Sequence, residues 1–326
     1  MDVLEEVELC FPQLFNSSCK RPKHPRYEVI LRYILLSSIS LLTVTLNLLV
    51  IISILHFKQL HTPTNLIILS LAVSDVFVGL LMLFPILLIS CLFFSAIVCL
   101  LYQIFTYIIT WASLGNMVLI SVDRYVAVCY PLQYSTKMTQ KKVRVCVCLC
   151  WSFSVPFTCL VLKDYLQQPG RFISCSGECV FVTDYIMGYI DLFLSFLCPV
   201  HIIIVLYLRV FIVAVSQARS MRSRVAAVQT AVRVTVQKSE LKAAKTLGVV
   251  VLVFLMCLCP YFIFFLKASD TVANSSSATF VLVLFYFNSC LNPMIYAFFY
   301  PWFRKCLKYI VTLRILQPGS SGANIL

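Results

Sequence analysis

Three carboxylates stand in stretches that are otherwise apolar, and each needs a partner because charge in such surroundings is costly. Asp191 lies among Ile190, Leu192, Phe193 and Leu194, eight residues before Pro199. Asp75 ends the run Leu71-Ala72-Val73-Ser74-Asp75, and Asp123 is followed directly by Arg124 and Tyr125. The chemistry open to these acids is electrostatic. At bilayer depth a lone carboxylate costs at least about 2.5 kcal/mol unless it meets polar groups, water or a cation. Asp191 is therefore a candidate counter-ion for a cationic ligand, its other reading being an ion pair with Lys267. Asp75 has candidate polar partners in Asn288, Ser289 and Asn292. Asp123 and Arg124 read either as an interfacial ion pair, with the guanidinium reaching toward lipid headgroups, or as a pair that exchanges partners. Covalent catalysis is not indicated. The four histidines are scattered, and neither Gly-x-Ser-x-Gly nor His-Glu-x-x-His occurs. The element Cys175-Ser176-Gly177-Glu178-Cys179 has no second ligand pair at metal spacing, so no metal site is expected there.

The elements that must position these groups are membrane spans. The chain is 326 residues long, 61% hydrophobic and only 12% charged, a composition that excludes a soluble domain. Apolar runs long enough to cross a bilayer fall near residues 30–55, 65–90, 97–120, 143–162, 185–215, 246–266 and 279–299. The expected fold is an all-α membrane protein, a seven-helix bundle followed by a short interfacial helix. Residues 1–28 form the outer tail, 29–300 the bundle, and 301–326 the interfacial helix and inner tail. The tail lacks the continuous apolar core of a cleavable signal peptide. The net charge of +13 sorts by side: 18 of the 26 basic residues fall in the loops assigned to the inside, accompanied only by Asp123 and Glu240 of the 13 acids. This is the positive-inside pattern, with the basic charge facing anionic lipid rather than nucleic acid. The glycosylation triplets beginning at Asn16 and Asn274 both fall on the opposite side.

The third span joins the two sides. From Cys99 to Arg124, a rise of about 1.5 Å per residue covers roughly the thickness of a bilayer. Thr106 stands about five turns above Arg124, so both point to one inward face. Pro260 lacks a backbone donor and is a candidate hinge in the sixth span, beside the aromatic pair Tyr261 and Phe262. After Pro301, Trp302, Phe303, Leu307, Ile310 and Val311 alternate with Arg304, Lys305 and Lys308 as in an interfacial helix. Cys306 in that helix is either acylated or a free thiol facing the membrane.

Asp123-Arg124-Tyr125 at the inner end of a third span resembles the rhodopsin-like G protein-coupled receptors. So does Asn292-Pro293-Met294-Ile295-Tyr296 near the end of the seventh. The resemblance narrows at His56-Phe57-Lys58-Gln59-Leu60-His61-Thr62-Pro63-Thr64-Asn65, at Lys242-Ala243-Ala244-Lys245-Thr246-Leu247-Gly248, and above all at Tyr300-Pro301-Trp302-Phe303-Arg304-Lys305. These look like the trace amine-associated receptors, and the likeness runs from Cys19 to about Thr312.

The resemblance implies an amine ligand, a heterotrimeric G protein of the stimulatory or olfactory class that raises cyclic AMP, an olfactory setting, and a plasma-membrane location with the N-terminus outside. It implies that Asp123 holds Arg124 at rest, and that Tyr207 and Tyr296 meet Arg124 in the active state. Asn47, Asp75, Asn288, Ser289 and Asn292 would form a polar network; we take the network itself as the expectation and leave sodium binding beside Asp75 open, with no other cofactor. A bridge joining Cys99 and Cys179 is implied, and a second joining Cys175 to Cys19, with Cys10 the alternative. Two departures stand out. Leu258 occupies the place of the family's tryptophan, which puts the usual rotamer switch in doubt. Thr106 occupies the place where aminergic receptors carry an acid, and it cannot neutralise an ammonium. Some fish trace amine-associated receptors are similar, with the acid on the fifth span instead. The implied pose sets the ammonium toward Asp191, the apolar end toward Thr106 and Tyr286, and Tyr261 and Phe262 as walls worth about 0.5–2 kcal/mol each to a cation. The rival readings are a receptor for a non-amine small molecule and a transporter of small cations. Against the transporter, the chain shows no internal repeat and no paired broken spans.

Overall fold

The computed structural model describes residues 26–83, 96–167, 185–224, 248–264 and 275–325. Helix α1 covers Arg26–His56, α2 Pro63–Leu81, α3 Ala96–Cys129 and α4 Gln140–Val161. Helix α5 runs through Tyr185–Leu192, a π turn at Phe193–Leu197, and Cys198–Arg224. Helix α6 covers Gly248–Phe264, α7 Ser275–Phe299 and α8 Pro301–Val311. By length and apolarity, Tyr33–His56, Pro63–Leu81, Ile97–Cys129, Gln140–Val161 and Ile186–Ser216 can each cross a membrane. Helix α6 is described over a shorter apolar length, and α7 spans 25 residues. No strand occurs among the described residues. The fold is a seven-helix membrane bundle.

The bundle is built with its polar residues inward. On α1, Ile34, Leu41, Leu48 and Leu55 recur at heptad spacing on the exposed face, while Ser40, Thr43 and Asn47 are buried. Lipid is as apolar as leucine, so helix association here relies on close packing and hydrogen bonds rather than on burying apolar surface. Helices α1 and α2 show both. The Ser40 hydroxyl donates to the Gly79 carbonyl at 2.7 Å, and a Cβ on Gly79 would lie 2.8 Å from a Val44 methyl, so only glycine permits this approach. Helix α3 lies at the centre, packed against α2, α4 and α5. Trp151 on α4 donates to the Ser70 hydroxyl on α2 at 3.1 Å, fixing α4 to the bundle.

Two local devices set the functional ends. Thr62 accepts from the Asn65 amide and Pro63 occupies the first turn, so α2 starts sharply just before Thr64. On α5, Pro199 cannot donate to the carbonyl of Ser195, and the π turn lies directly before it. The wider turn buries Ser195 and Phe196 and leaves Phe193 and Leu197 exposed.

Helix α8 buries Trp302, Phe303 and Cys306 and exposes Arg304, Lys305 and Lys308. Cys306 corrects its sequence expectation. Its spacing puts it on the same face as Trp302 and Phe303, turned to the bundle and away from lipid, and burial pushes its thiol up to about 11.

Candidate functional site

The end of the bundle expected to face outside is organised by Asp191. One carboxylate oxygen accepts from the Tyr107 hydroxyl at 3.5 Å, at the limit of a hydrogen bond; the other is buried and has no partner among the described residues. An aromatic wall continues from this acid across three helices. Phe196 stacks on Phe262 with centroids 4.4 Å apart, Tyr261 meets Phe262 edge-on and Phe285 at 4.9 Å, and Phe285 meets Tyr286 at 5.6 Å. The Tyr286 hydroxyl then pairs with that of Tyr102 on α3 at 2.9 Å. The expected wall residues Tyr261, Phe262 and Tyr286 thus belong to one surface. Thr106 lies half-buried on α3 beside Tyr107, and the residue that touches the acid is Tyr107. Lys267, the alternative partner of Asp191, lies outside the described residues.

In the middle, Asn292 donates to Asp75 at 2.9 Å, and Asn47 donates to the Ser289 carbonyl at 3.0 Å and the Thr43 carbonyl at 2.9 Å. Ser113 donates to Ser74 at 2.9 Å. A cavity of about 30 Å³ lies between this network and the aromatic wall, lined by Ser113, Ser195, Leu258, Phe262 and Asn288 among others. It has room for about one or two waters. The Asn288 side-chain oxygen and the Ser195 hydroxyl are buried without partners among the described residues, the arrangement that waters complete.

The opposite end, which holds Asp123, is saturated. Asp123 accepts from Arg124 through two nitrogens, one bond being 3.0 Å, from Thr64 at 2.9 Å, and from Tyr134 at 2.8 Å. Arg124 also donates to Thr64 at 2.8 Å and is only 4% exposed, so the guanidinium does not reach toward headgroups. Burial and the neighbouring Asp123 carboxylate push the Tyr134 phenol up to about 12, which keeps it a proton donor. The hydroxyls of Tyr207 and Tyr296 are buried and have no partner among the described residues. Tyr207 packs against Gly248, where a Cβ would lie 3.3 Å from its ring. Tyr125 turns aside, its ring against Tyr130 and its body against Val128 and Val210. Pro293 sits buried within α7, one helical turn above Tyr296.

Three contributors escaped sequence reasoning: Tyr107, Thr64 and Tyr134. Tyr107 adjoins the residue that spacing singled out. Thr64 follows a capped Thr62-Pro63 start that was legible, but its reach to Asp123 depends on how α2 and α3 cross. Tyr134 belongs to a single helical turn, Tyr134–Lys137, that no periodicity announces.

Cys99 is buried and disulfide-bonded, and its partner is outside the described residues. Cys179, Cys19, Cys175, Asn16 and Asn274 also lie outside them.

Residues 46–296 match the family described as 7 transmembrane receptor (rhodopsin family). The chain is 38% identical to trace amine-associated receptor 13c of Danio rerio, over 98% of this chain and 96% of that one. It is 35% identical to trace amine-associated receptor 4 of Mus musculus, over 98% and 96%. It is 36% identical to trace amine-associated receptor 6 of Homo sapiens, over 99% and 97%.

Proposed function

The chain belongs to the trace amine-associated receptors of the rhodopsin family, a signalling receptor and not an enzyme, and from that premise we propose that it detects an amine whose ammonium is held by Asp191. The observation that carries this reading is the bare, buried oxygen of Asp191 at the end of an aromatic wall. A carboxylate so placed awaits a cation, and an ammonium entering a dry site needs a counter-charge to offset its lost hydration. Tyr107 steadies the other oxygen. The ligand's apolar end lies toward Thr106 and Tyr286. The receptor sits in the plasma membrane with its N-terminus outside, glycosylated at Asn16 and Asn274. The outer loop is held by bridges from Cys99 to Cys179 and from Cys19 to Cys175.

Occupation of this site frees Arg124 from Asp123, and Tyr207 and Tyr296 then supply its new partners. The exposed guanidinium engages a heterotrimeric G protein of the stimulatory or olfactory class, raising cyclic AMP in an olfactory cell. The Asp75 network carries the change between the two ends through hydrogen bonds and cavity water. Asp75, Ser113 and the Asn288 side chain offer oxygen atoms that would also suit a hard cation such as sodium.

The test is an amine panel on receptor-expressing cells, read as cyclic AMP, with Asp191→Asn beside the native chain at matched surface expression. A loss of amine potency by roughly two to four decades is expected in that variant. Full sensitivity in Asp191→Asn would reassign the acid to a structural role or the ligand to another chemical class.

A further inference from the structure

The inner tail does not trail away from the bundle. After α8, Leu313 and Leu316 are exposed, Gly319 turns the chain with φ at +80°, and a 3-10 turn at Ser320–Gly322 leads back to the first inner loop, residues 57–62. Three contacts hold it there. The Ser320 hydroxyl donates to the Ile315 carbonyl at 2.7 Å, which leaves its oxygen to accept from His56 Nε2 at 2.9 Å. The Ile325 amide donates to the Gln59 side-chain oxygen at 3.1 Å. The Ile325 side chain is 0% exposed, in one cluster with Phe57, Leu60, Phe303 and Cys306. The groove between this loop and α8 is thus an interaction surface with two polar ends and an apolar floor, and its occupant is residues 320–325 of the same chain.

The loop under the tail is a rigid piece. Phe57 is buried and packs edge-on against Tyr309 of α8 at 5.8 Å. The Leu60 carbonyl accepts from the Asn65 side chain at 2.9 Å, Thr62 caps α2, and Gln140 at the start of α4 donates to the His61 carbonyl. This piece ends in Thr64, which grips both Asp123 and Arg124. The tail therefore holds one side of a loop whose other side is part of the resting ion-pair lock.

We propose that residues 320–325 form a resting-state strap: docked on the first inner loop, they hold Thr64 against the Asp123 and Arg124 pair, and their release favours the active receptor. Any contact made in one state and lost in the other shifts the equilibrium by its differential energy, and the coupling is reciprocal. Activation at the lock accordingly loosens the strap. The signalling half of this proposal rests on the G protein reading above, whereas the docking half does not.

The full-length receptor is examined in two ways. Hydrogen exchange read by mass spectrometry follows residues 56–62 and 318–325, and agonist-independent nucleotide exchange follows signalling on a purified G protein. Ile325→Asp should speed amide exchange in both segments and raise basal nucleotide exchange about fivefold or more. Gln59→Ala, a milder surface change, should act in the same direction. Adding Thr64→Ala to Ile325→Asp should raise basal activity by less than the product of the separate effects, because both act through one lock. Faster exchange of 318–325 with no change at 56–62 and none in basal activity would make the tail a passenger. Unchanged exchange of 318–325 in both single variants would show that it is not docked. If native receptor with agonist drives no nucleotide exchange on any G protein, the functional reading falls, while hydrogen exchange still decides the docking.

Discussion

Asp191 and Asp123 are both aspartates near the ends of the same bundle, yet one is almost bare and the other is filled. Asp191 has a single long hydrogen bond from Tyr107 and a buried oxygen with no partner among the described residues. Asp123 takes up Arg124, Thr64 and Tyr134 together. The contrast separates two uses of one side chain. A carboxylate whose needs are met inside the fold stabilises the state that meets them, which on the proposed function makes Asp123 a lock. A carboxylate left short raises the energy of the empty receptor until something else supplies the charge, which on the same proposal makes Asp191 a receiving site. Asp75 stands between, tied to Asn292.

The largest test of this contrast removes the lock's other half. Arg124→Ala should abolish cyclic AMP responses while surface expression and ligand binding persist; undiminished signalling would remove Arg124 from the switch. Next is the receiving site. Losing one side of a buried ion pair costs about 3–5 kcal/mol, so Asp191→Asn should shift amine potency by roughly two to four decades in a dose–response series. A smaller effect of opposite sign is expected from Tyr134→Phe. It strips one donor from Asp123, a bond to a charged group worth about 1.5–3 kcal/mol, and should raise agonist-independent activity about tenfold in a basal cyclic AMP assay. Leu258→Trp should lower agonist efficacy modestly, because an indole overfills a cavity of about 30 Å³ and overpacking costs about 1–3 kcal/mol. Thr106→Ala should move amine potency least, by less than tenfold, since Tyr107 is the residue in contact with the acid. Placing an acid there, Thr106→Asp, sharpens the comparison differently: a second bare carboxylate should extend recognition to diamines.

Much of this was legible in the sequence, for identifiable reasons. Apolar runs report spans because backbone polar groups must be satisfied within each helix in lipid. Asp123 and Arg124 were legible because they are adjacent. Asp191 was legible because no neighbour in sequence compensates it. What escaped was the product of helix crossing and local phase. Thr64 and Asp123 meet only because α2 and α3 cross where they do. Spacing along α3 pointed to Thr106, yet the acid on α5 meets Tyr107, and Pro199 announced a distortion of α5 without its sense. Cys306 was misjudged for a related reason: an amphipathic pattern tells which residues share a face, and here the thiol's face is the bundle's.

The π turn also decides what a change of length in α5 would do. A π turn holds one residue more than an α turn, so deleting one residue within Phe193–Leu197 restores a regular helix and leaves the segments on either side close to their present phase. Asp191 would keep its face toward the bundle, whereas the same deletion in the regular helix between Pro199 and Tyr207 would turn it away by about 100° relative to Tyr207. The wide turn is therefore the place where α5 can lose a residue and still present its acid inward.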